Sequence, residues 1–515
     1  MLLAACLSGC SVGPNFVRPN APVPAHYPSD ASQRGTRAEE PPVLVRIPGI
    51  AALPDEQIPS LSATSEATAE LSRWWSQFHD TQLDALIAQA LGANLNLRVA
   101  IVRTQEALAQ RDIQAAALWP ALSANASYDL ERISESTPQG ALFNSADKLT
   151  LPGVGRVNIP NPYNQYQLAA SLNWEFDLFG RVRRSIEAAS AAAQVSLEDQ
   201  RAVQVSLLAQ VAQSYLALRG AQARRAVALQ NIATIQDLLQ LTQQRHAAGL
   251  NTELDLRNAL AQLSQTHATL PALDLQINQS LHALAALLGR EPEALRAQLQ
   301  RAAPLPPLPP HVPIGLPADL VRRRPDVREA EANLHAATAQ IGVAVGNLFP
   351  RLTLTAAGGF QSDTVGSLLR WSSLFANVGP TLQIPVFDRG AWRTVKLYRL
   401  RQQEAALAYQ AAVLTALQQV DDALAAYDAD QRQRQYLSDT VAQNREALAI
   451  ARERYTSGVT DFINVLDALR TLQQNQMSLL ASSTAASADL VLLYRALGGG
   501  WVAAGAAGAA GADSG

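Results

Sequence analysis

Cysteine is almost missing from the chain: there are two in 515 residues, Cys6 and Cys10, both within the first ten positions. No disulfide framework or zinc cluster can therefore hold the fold. Net charge is equally scarce. The 41 Lys and Arg against 44 Asp and Glu leave −3, which argues against a nucleic-acid partner, because neutralising phosphates needs a basic surface. Aromatics make up 5%, so a large aromatic core is not expected. Beyond the first residues, no stretch approaches the roughly 20 apolar residues of a membrane-spanning helix. Signatures of chemistry are missing as well: no phosphate loop, no HExxH and no nucleophile elbow. Seven histidines, among them His246, His267, His282 and His335, are scattered over helical or loop segments and read as solvated or packing residues. Nothing favours an enzyme, and no metal or catalytic cofactor is expected.

What is present starts with a leader. Met1-Leu-Leu-Ala-Ala-Cys-Leu-Ser-Gly-Cys10 is apolar and rich in small residues, like the end of a signal peptide before its cleavage site. Residues 1–9 read as that end, with the basic n-region truncated. Leu7-Ser8-Gly9-Cys10 resembles a bacterial lipoprotein box, whose cysteine becomes the mature N-terminus carrying N-acyl and S-diacylglycerol groups. Cys10 is the expected attachment site. Leu3-Ala4-Ala5-Cys6 fits the same box and leaves Cys6 as the alternative.

Prolines then divide the chain. Ten of them between Pro14 and Pro59 forbid a long helix, so 10–79 reads as an extended arm. A second proline-rich stretch, 304–324, separates two halves. These halves repeat. Arg245-His-Ala-Ala-Gly249 recurs as Arg454-Tyr-Thr-Ser-Gly458, and Leu288-Gly289 as Leu497-Gly498, each 209 residues later. Leu118-Trp119-Pro120 likewise matches Leu348-Phe349-Pro350. The chain reads as a tandem duplication, 80–303 and 325–498, with a low-complexity tail, 499–515, expected to be disordered.

Each repeat reads as helix, two strands, long helix, turn and return helix. The first has strands at about 120–133 and 165–178, a long helix over 181–248 and a return helix over 252–288. The second has strands at about 351–361 and 375–387, then helices over 391–457 and 461–497. Leu122, Ala124, Ala126, Tyr128 and Leu130 alternate with Ser123, Asn125, Ser127 and Asp129. Leu168, Leu172, Trp174 and Phe176 alternate with polar neighbours in the same way. Period-2 strands of this length mark an outer-membrane barrel, although a soluble sandwich would alternate too. The helices decide between the two. One helix over 181–248 would be about 100 Å long, too long for a compact domain, so it must project as a rod and pack against other rods. Four strands cannot close a barrel, and an open edge in lipid leaves backbone groups unsatisfied. The chain must therefore supply a fraction of a shared barrel.

These residues resemble a known family, the TolC-like outer-membrane efflux channels in their lipoprotein (NodT/OprM-like) branch. The resemblance rests on Cys10-Ser-Val-Gly-Pro-Asn-Phe16, Trp74-Trp75 with Phe78, and Phe176-Asp-Leu-Phe-Gly-Arg181. Gly315-Leu-Pro-Ala-Asp-Leu-Val-Arg-Arg-Arg-Pro-Asp326, Arg454-Tyr-Thr-Ser-Gly458 and Val465-Leu466-Asp467 complete it. It implies a membrane α+β fold: a homotrimer sharing one 12-stranded outer-membrane barrel, continuous with a periplasmic α-helical tunnel. The terminal segments and central linker would form an equatorial belt. The function implied is a passive exit duct in the Gram-negative outer membrane, receiving drugs or other small molecules from a periplasmic adaptor and an inner-membrane RND-type pump. Two alternatives stay open: a duct for type I protein secretion, and a periplasmic coiled-coil protein without a pore.

The resemblance also names sites. Gly249-Leu250 and Gly458-Val459 correspond to the tips that meet the adaptor. Ile463 and Asp467 correspond to an apolar and an acidic ring closing the periplasmic end, with Leu254 beside them. Asp255 and Tyr455 match two members of a closing latch whose arginine position is Thr460 here, so the latch would be weaker or rest on the Tyr455–Asp255 hydrogen bond alone. Arg322-Arg323-Arg324 reads as a solvated helix start with Pro325 at the first helical position.

Overall fold

The computed structural model describes residues 11–19, 24, 60–62, 71–134, 136–138, 141, 150–151, 155–156, 160–309, 311–313 and 317–501. Cys6, Cys10 and the leader lie outside these residues, as does the tail beyond 501. Two compact units are present. Among the described residues, the first gathers 11–18 with those of 106–193 and 332–406, and the second holds the others.

The first unit is built on a four-stranded antiparallel sheet, β1 (Ala121–Glu131), β2 (Tyr163–Phe176), β3 (Arg351–Ser362) and β4 (Leu374–Gln383), in that spatial order. Register turns the sequence alternation into two continuous faces, because directly paired residues share a face. On one face lie Leu122, Leu172, Ala356 and Val378; Ala126, Leu168, Phe360 and Leu374; and Trp174, Leu354 and Pro380. Across the sheet on the other face lie Ser123, Ser171, Ala357 and Asn377, then Ser127, Gln167 and Gln361, then Glu175, Thr353 and Thr381. The apolar face is uncovered in the single chain: Leu122, Leu130, Val378 and Leu382 are all exposed. β1 and β4 are the two edges.

The longer helices are α1 (Thr81–Ala93), α2 (Leu95–Ala116), α3 (Arg181–Ala247), α4 (Glu253–His267), α5 (Leu270–Leu287), α6 (Pro325–Gly346), α7 (Arg389–Thr456) and α8 (Phe462–Ala496). α2 and α6 stop one turn before Pro120 and Pro350, which bar the preceding residue from helical geometry. α3 starts where the Asp177 carboxylate accepts the Val182 and Arg183 amides, both at 2.9 Å. With 67 and 68 residues, α3 and α7 are each about 100 Å long.

Residues following Cys10 are packed within the first unit. Val12 donates its amide to the Phe179 carbonyl at 3.1 Å, and the Arg184 guanidinium donates to Val12 O at 3.2 Å and to Asn15. Phe16 stacks on His335 at 4.5 Å. Gly13 has φ +90, and a Cβ there would lie 2.5 Å from the Gly342 Cα, so this approach requires glycine.

In the second unit, Trp74, Phe78, Leu83, Leu86 and Ile87 pack with Leu208, Tyr215 and Leu216 of α3 and Leu490 and Tyr494 of α8. Trp74 stacks on Tyr494 at 5.1 Å. α8 is apolar and long enough to cross a bilayer by composition, contrary to the reading that no such stretch exists. Its Leu490, Val491, Leu493 and Tyr494 are buried in this core, so its apolarity serves packing.

Several expected elements differ. The first helix is broken at Asn94, whose side chain accepts the Leu97 amide and donates to Leu287 O. The first return helix is interrupted at Ala268–Thr269, because Pro271 lacks an N–H and its ring crowds the His267 carbonyl. β4 ends at Gln383 rather than 387, since Pro385 cannot donate to a ladder. The linker contains a short strand, His311–Pro313, paired in parallel with Ser60–Ser62, and a helical turn, Pro317–Arg323. Arg324 is not solvated: it is buried, pairs with Asp326 at 2.6 Å and donates to Ala496 O and Gln419. The expected disorder does not begin at 499. Gly500 donates its amide to Leu71 O, and buried Trp501 carries the Arg201 guanidinium over its ring at 4.4 Å.

Candidate functional site

The candidate site lies in the second unit, where α3 turns into α4 and α7 turns into α8. Both long helices end on the same device. Gly249 and Gly458 have φ +72 and +75, the left-handed conformation that side chains resist. The Gly249 and Leu250 amides return to His246 O and Arg245 O, each at 2.9 Å. Gly458 and Val459 repeat this with Tyr455 O at 3.0 Å and Arg454 O at 2.9 Å. Such paired bonds satisfy carbonyls that a helix end would otherwise leave open, and they reverse the chain within a few residues. The same cap recurs at Gly289 and Gly498.

Beneath the turns sits a separate apolar cluster of Ile235, Leu238, Ala259, Tyr455, Phe462, Val465, Leu466 and Leu469. Phe462, Val465, Leu466 and Leu469 take the inner face of α8, which leaves the outer face to Ile463 and Asp467. Both are exposed. Their spacing of four sets them one above the other, about 6 Å apart along the axis. Leu250, Leu254 and Val459 are exposed too, at 65%, 67% and 64%. Uncovered aliphatic side chains thus crown both turns, and an apolar–acidic pair lies along α8.

The structure does not join Tyr455 to Asp255. The Asp255 carboxylate is occupied at the start of α4, where it accepts the Thr252 amide and hydroxyl while Thr252 Oγ1 accepts the Asp255 amide. This reciprocal cap follows from threonine and aspartate three residues apart. Tyr455 instead receives a hydrogen bond on its hydroxyl from Asn251, with the Arg245 guanidinium 4.7 Å from its ring centroid. Arg245 also donates to Asn251 Oδ1 at 3.2 Å and to Thr456 O at 3.1 Å. Asn251 and Arg245 are therefore the residues that tie the first turn to the second. Asn251 lies 209 positions before Thr460, the latch position, so the repeat offset carried the signal that points to it. Farther from the turns, Gln262 donates to Gln473 at 3.2 Å and accepts from Arg470 at 2.6 Å, linking α4 to α8. Among the described residues no cluster of His, Cys, Asp and Glu could hold a metal.

Comparison with known proteins places this architecture. The outer membrane efflux protein family profile matches residues 86–290 and 316–499. Outer membrane protein OprJ of Pseudomonas aeruginosa is 32% identical over 503 residues, covering 97% of this chain and 95% of that one. Nodulation protein T of Rhizobium leguminosarum bv. viciae is 29% identical, covering 98% and 93%. Among solved structures, the outer-membrane channel OprN superposes with a TM-score of 0.79 at 32% identity, covering 96% of this chain and 100% of that one. The chain belongs to the outer membrane efflux protein family, the channels through which efflux systems discharge across the Gram-negative outer membrane.

Proposed function

We propose that three copies of this chain assemble into one exit duct. Their four-stranded sheets would close a shared 12-stranded barrel, and their long helices a periplasmic tunnel fed by an adaptor and an RND-type pump. The observation that carries the reading is the two-faced sheet. On its apolar face, Tyr128 and Tyr166 lie 4.9 Å apart near one end, and Trp174 and Phe176 lie 4.2 Å apart near the other. Tyr166 and Trp174 are eight residues apart on β2, about 27 Å along the strand. Aromatic girdles bordering an apolar band about 25 Å tall are what a bilayer selects. The opposite face is hydroxyl- and amide-rich, as a wet lumen needs. Lipid permits no open edge, so β1 of one copy must meet β4 of the next, and a rotation repeated three times closes the ring.

Within this reading each site residue has a role. Leu250 and Val459, presented by Gly249 and Gly458, meet the adaptor tip. Ile463 and Leu254 form the constriction that dewets, and three Asp467 carboxylates favour cations. Asp255 and Tyr455 belong to the closing region, joined here through Asn251 and Arg245 rather than to each other. Cys10 carries the lipid, just before the docked Val12–Phe16 segment. The test is cross-linking between copies. Cysteines at Ser123, Asn125 or Ser127 on β1, each combined with Asn377→Cys on β4, are oxidised in the membrane. Covalent trimers are expected for at least one combination; monomers throughout would reject the shared barrel.

A further inference from the structure

The end of the sheet away from the helices carries a loop whose construction differs from an ordinary surface turn. β3 enters it at Ser362, paired with Tyr166 of the aromatic pair, and β4 leaves it at Leu374, paired with Phe360. Inside the loop the polar groups are turned on one another. The Ser362 and Thr364 hydroxyls both meet the Ser367 hydroxyl, and Ser373 Oγ donates to Ser367 O at 2.8 Å. Two 3-10 turns, Val365–Ser367 and Trp371–Ser373, add backbone bonds from Arg370 N to Ser367 O and from Ser373 N to Arg370 O. With these four hydroxyls tied to one another or to the loop backbone, the loop leaves Val365, Leu369 and Trp371 exposed by 63%, 71% and 82%. Arg370 stands exposed between the last two. Asp363, the loop's carboxylate, sits at the strand end and accepts from Ser362 at 3.4 Å.

A pre-ordered apolar wedge loses little freedom on binding, and its exposure in water would otherwise be a liability. It joins β3 and β4 at the end of the sheet that carries the tyrosine pair, where, in the proposed barrel, a membrane would give way to headgroups. Tryptophan prefers that depth, and a guanidinium there meets phosphate in a fork geometry that suits it. We propose that residues 365–371 dock into the surrounding leaflet, Leu369 and Trp371 against the headgroup-proximal part of the acyl chains and Arg370 on the phosphate of an anionic lipid headgroup. The partner is the lipid and not a second copy of the loop across the pore mouth. This inference rests on the sheet lying in the bilayer as proposed above.

The test places a bimane label at Leu369→Cys, which keeps Arg370 and Trp371, and a second label at Val378→Cys on the apolar face. Full-length trimers are reconstituted into brominated zwitterionic vesicles with and without purified lipid A, and the parent chain supplies the background. Bromine quenching at both positions is expected, with lipid A enriched around the protein. Arg370→Gln should reduce that enrichment about fivefold, the effect of one basic side chain at an anionic surface, while Val378 quenching stays unchanged. Quenching at Val378 without quenching at Leu369 would overturn the inference and leave the barrel intact; the same holds if the Leu369 labels quench one another between copies. No quenching at Val378 would overturn the barrel itself.

Discussion

Glutamate at Leu250 and Val459 separates capping from docking, because the structure sets very different costs for the two. Both side chains are about two-thirds exposed, so Leu250→Glu and Val459→Glu should change folding stability by no more than about 0.5 kcal/mol. Covering the same side chains with a partner would stabilise docking by roughly 1–2 kcal/mol each. Two positions in three copies place on the order of 10 kcal/mol at stake before association costs, and buried carboxylates would add a penalty. The glycines offer the opposite perturbation. A Cβ at Gly249 or Gly458 meets nothing within 4 Å, so Gly249→Ala and Gly458→Ala carry only the left-handed backbone cost, about 1–2 kcal/mol each. The assay is drug susceptibility of a strain dependent on this channel, with trimers followed on unheated gels. The glutamate pair should abolish resistance with trimers intact, whereas the alanine pair should lower thermal stability and retain resistance. Full resistance in the glutamate pair with normal trimers would refute the docking role.

Other outcomes follow from the same geometry. In planar bilayers Ile463→Ala should raise conductance and Asp467→Ala should weaken cation selectivity; wild-type behaviour in both would remove them from the gate. Cys10→Ala should lose acyl labelling and keep some channel function, because the proposed barrel would hold the protein in the bilayer without the lipid; labelling that persists would move the site to Cys6. Burial and the neighbouring Asp430 push the Asp489 carboxyl from 3.8 up to about 6, so the folded state holds this proton more tightly than the unfolded one and stability falls as pH rises from about 4 through 6. Asp489→Asn should therefore raise trimer stability at pH 7, by about 1 kcal/mol after solvent screening, and barely change it at pH 3.5; thermal melts at both values check this.

The strands were legible because alternation is a local signal: Ala121–Glu131 and Tyr163–Phe176 follow directly from side chains that change face at each residue. The turns at Gly249 and Gly458 were legible because only glycine takes that conformation cheaply. What escaped the sequence depended on distant partners. Asn94 breaks a helix because its side chain reaches Leu287, almost two hundred residues away. Arg324 is buried because the Ala496 carbonyl and Gln419 await it. Trp501 follows three glycines that look like a loose tail, yet Arg201 and Arg328 both lie over its ring. The Tyr455 hydroxyl had two polar candidates nearby, and Asp255 was taken from it by a threonine three residues upstream.

In the proposed duct the sheet separates lipid from a water-filled lumen, and two adjacent residues of β4 test this most directly. Val378 lies on the apolar face and Asn377 on the polar one. Single cysteines at these positions are probed in intact membranes with a bilayer-confined quencher and with a charged, membrane-impermeant thiol reagent. Val378→Cys should be quenched from the bilayer and spared by the charged reagent, while Asn377→Cys should react with the charged reagent and escape the quencher. Reaction of both with the charged reagent, or the reverse pattern, would contradict it.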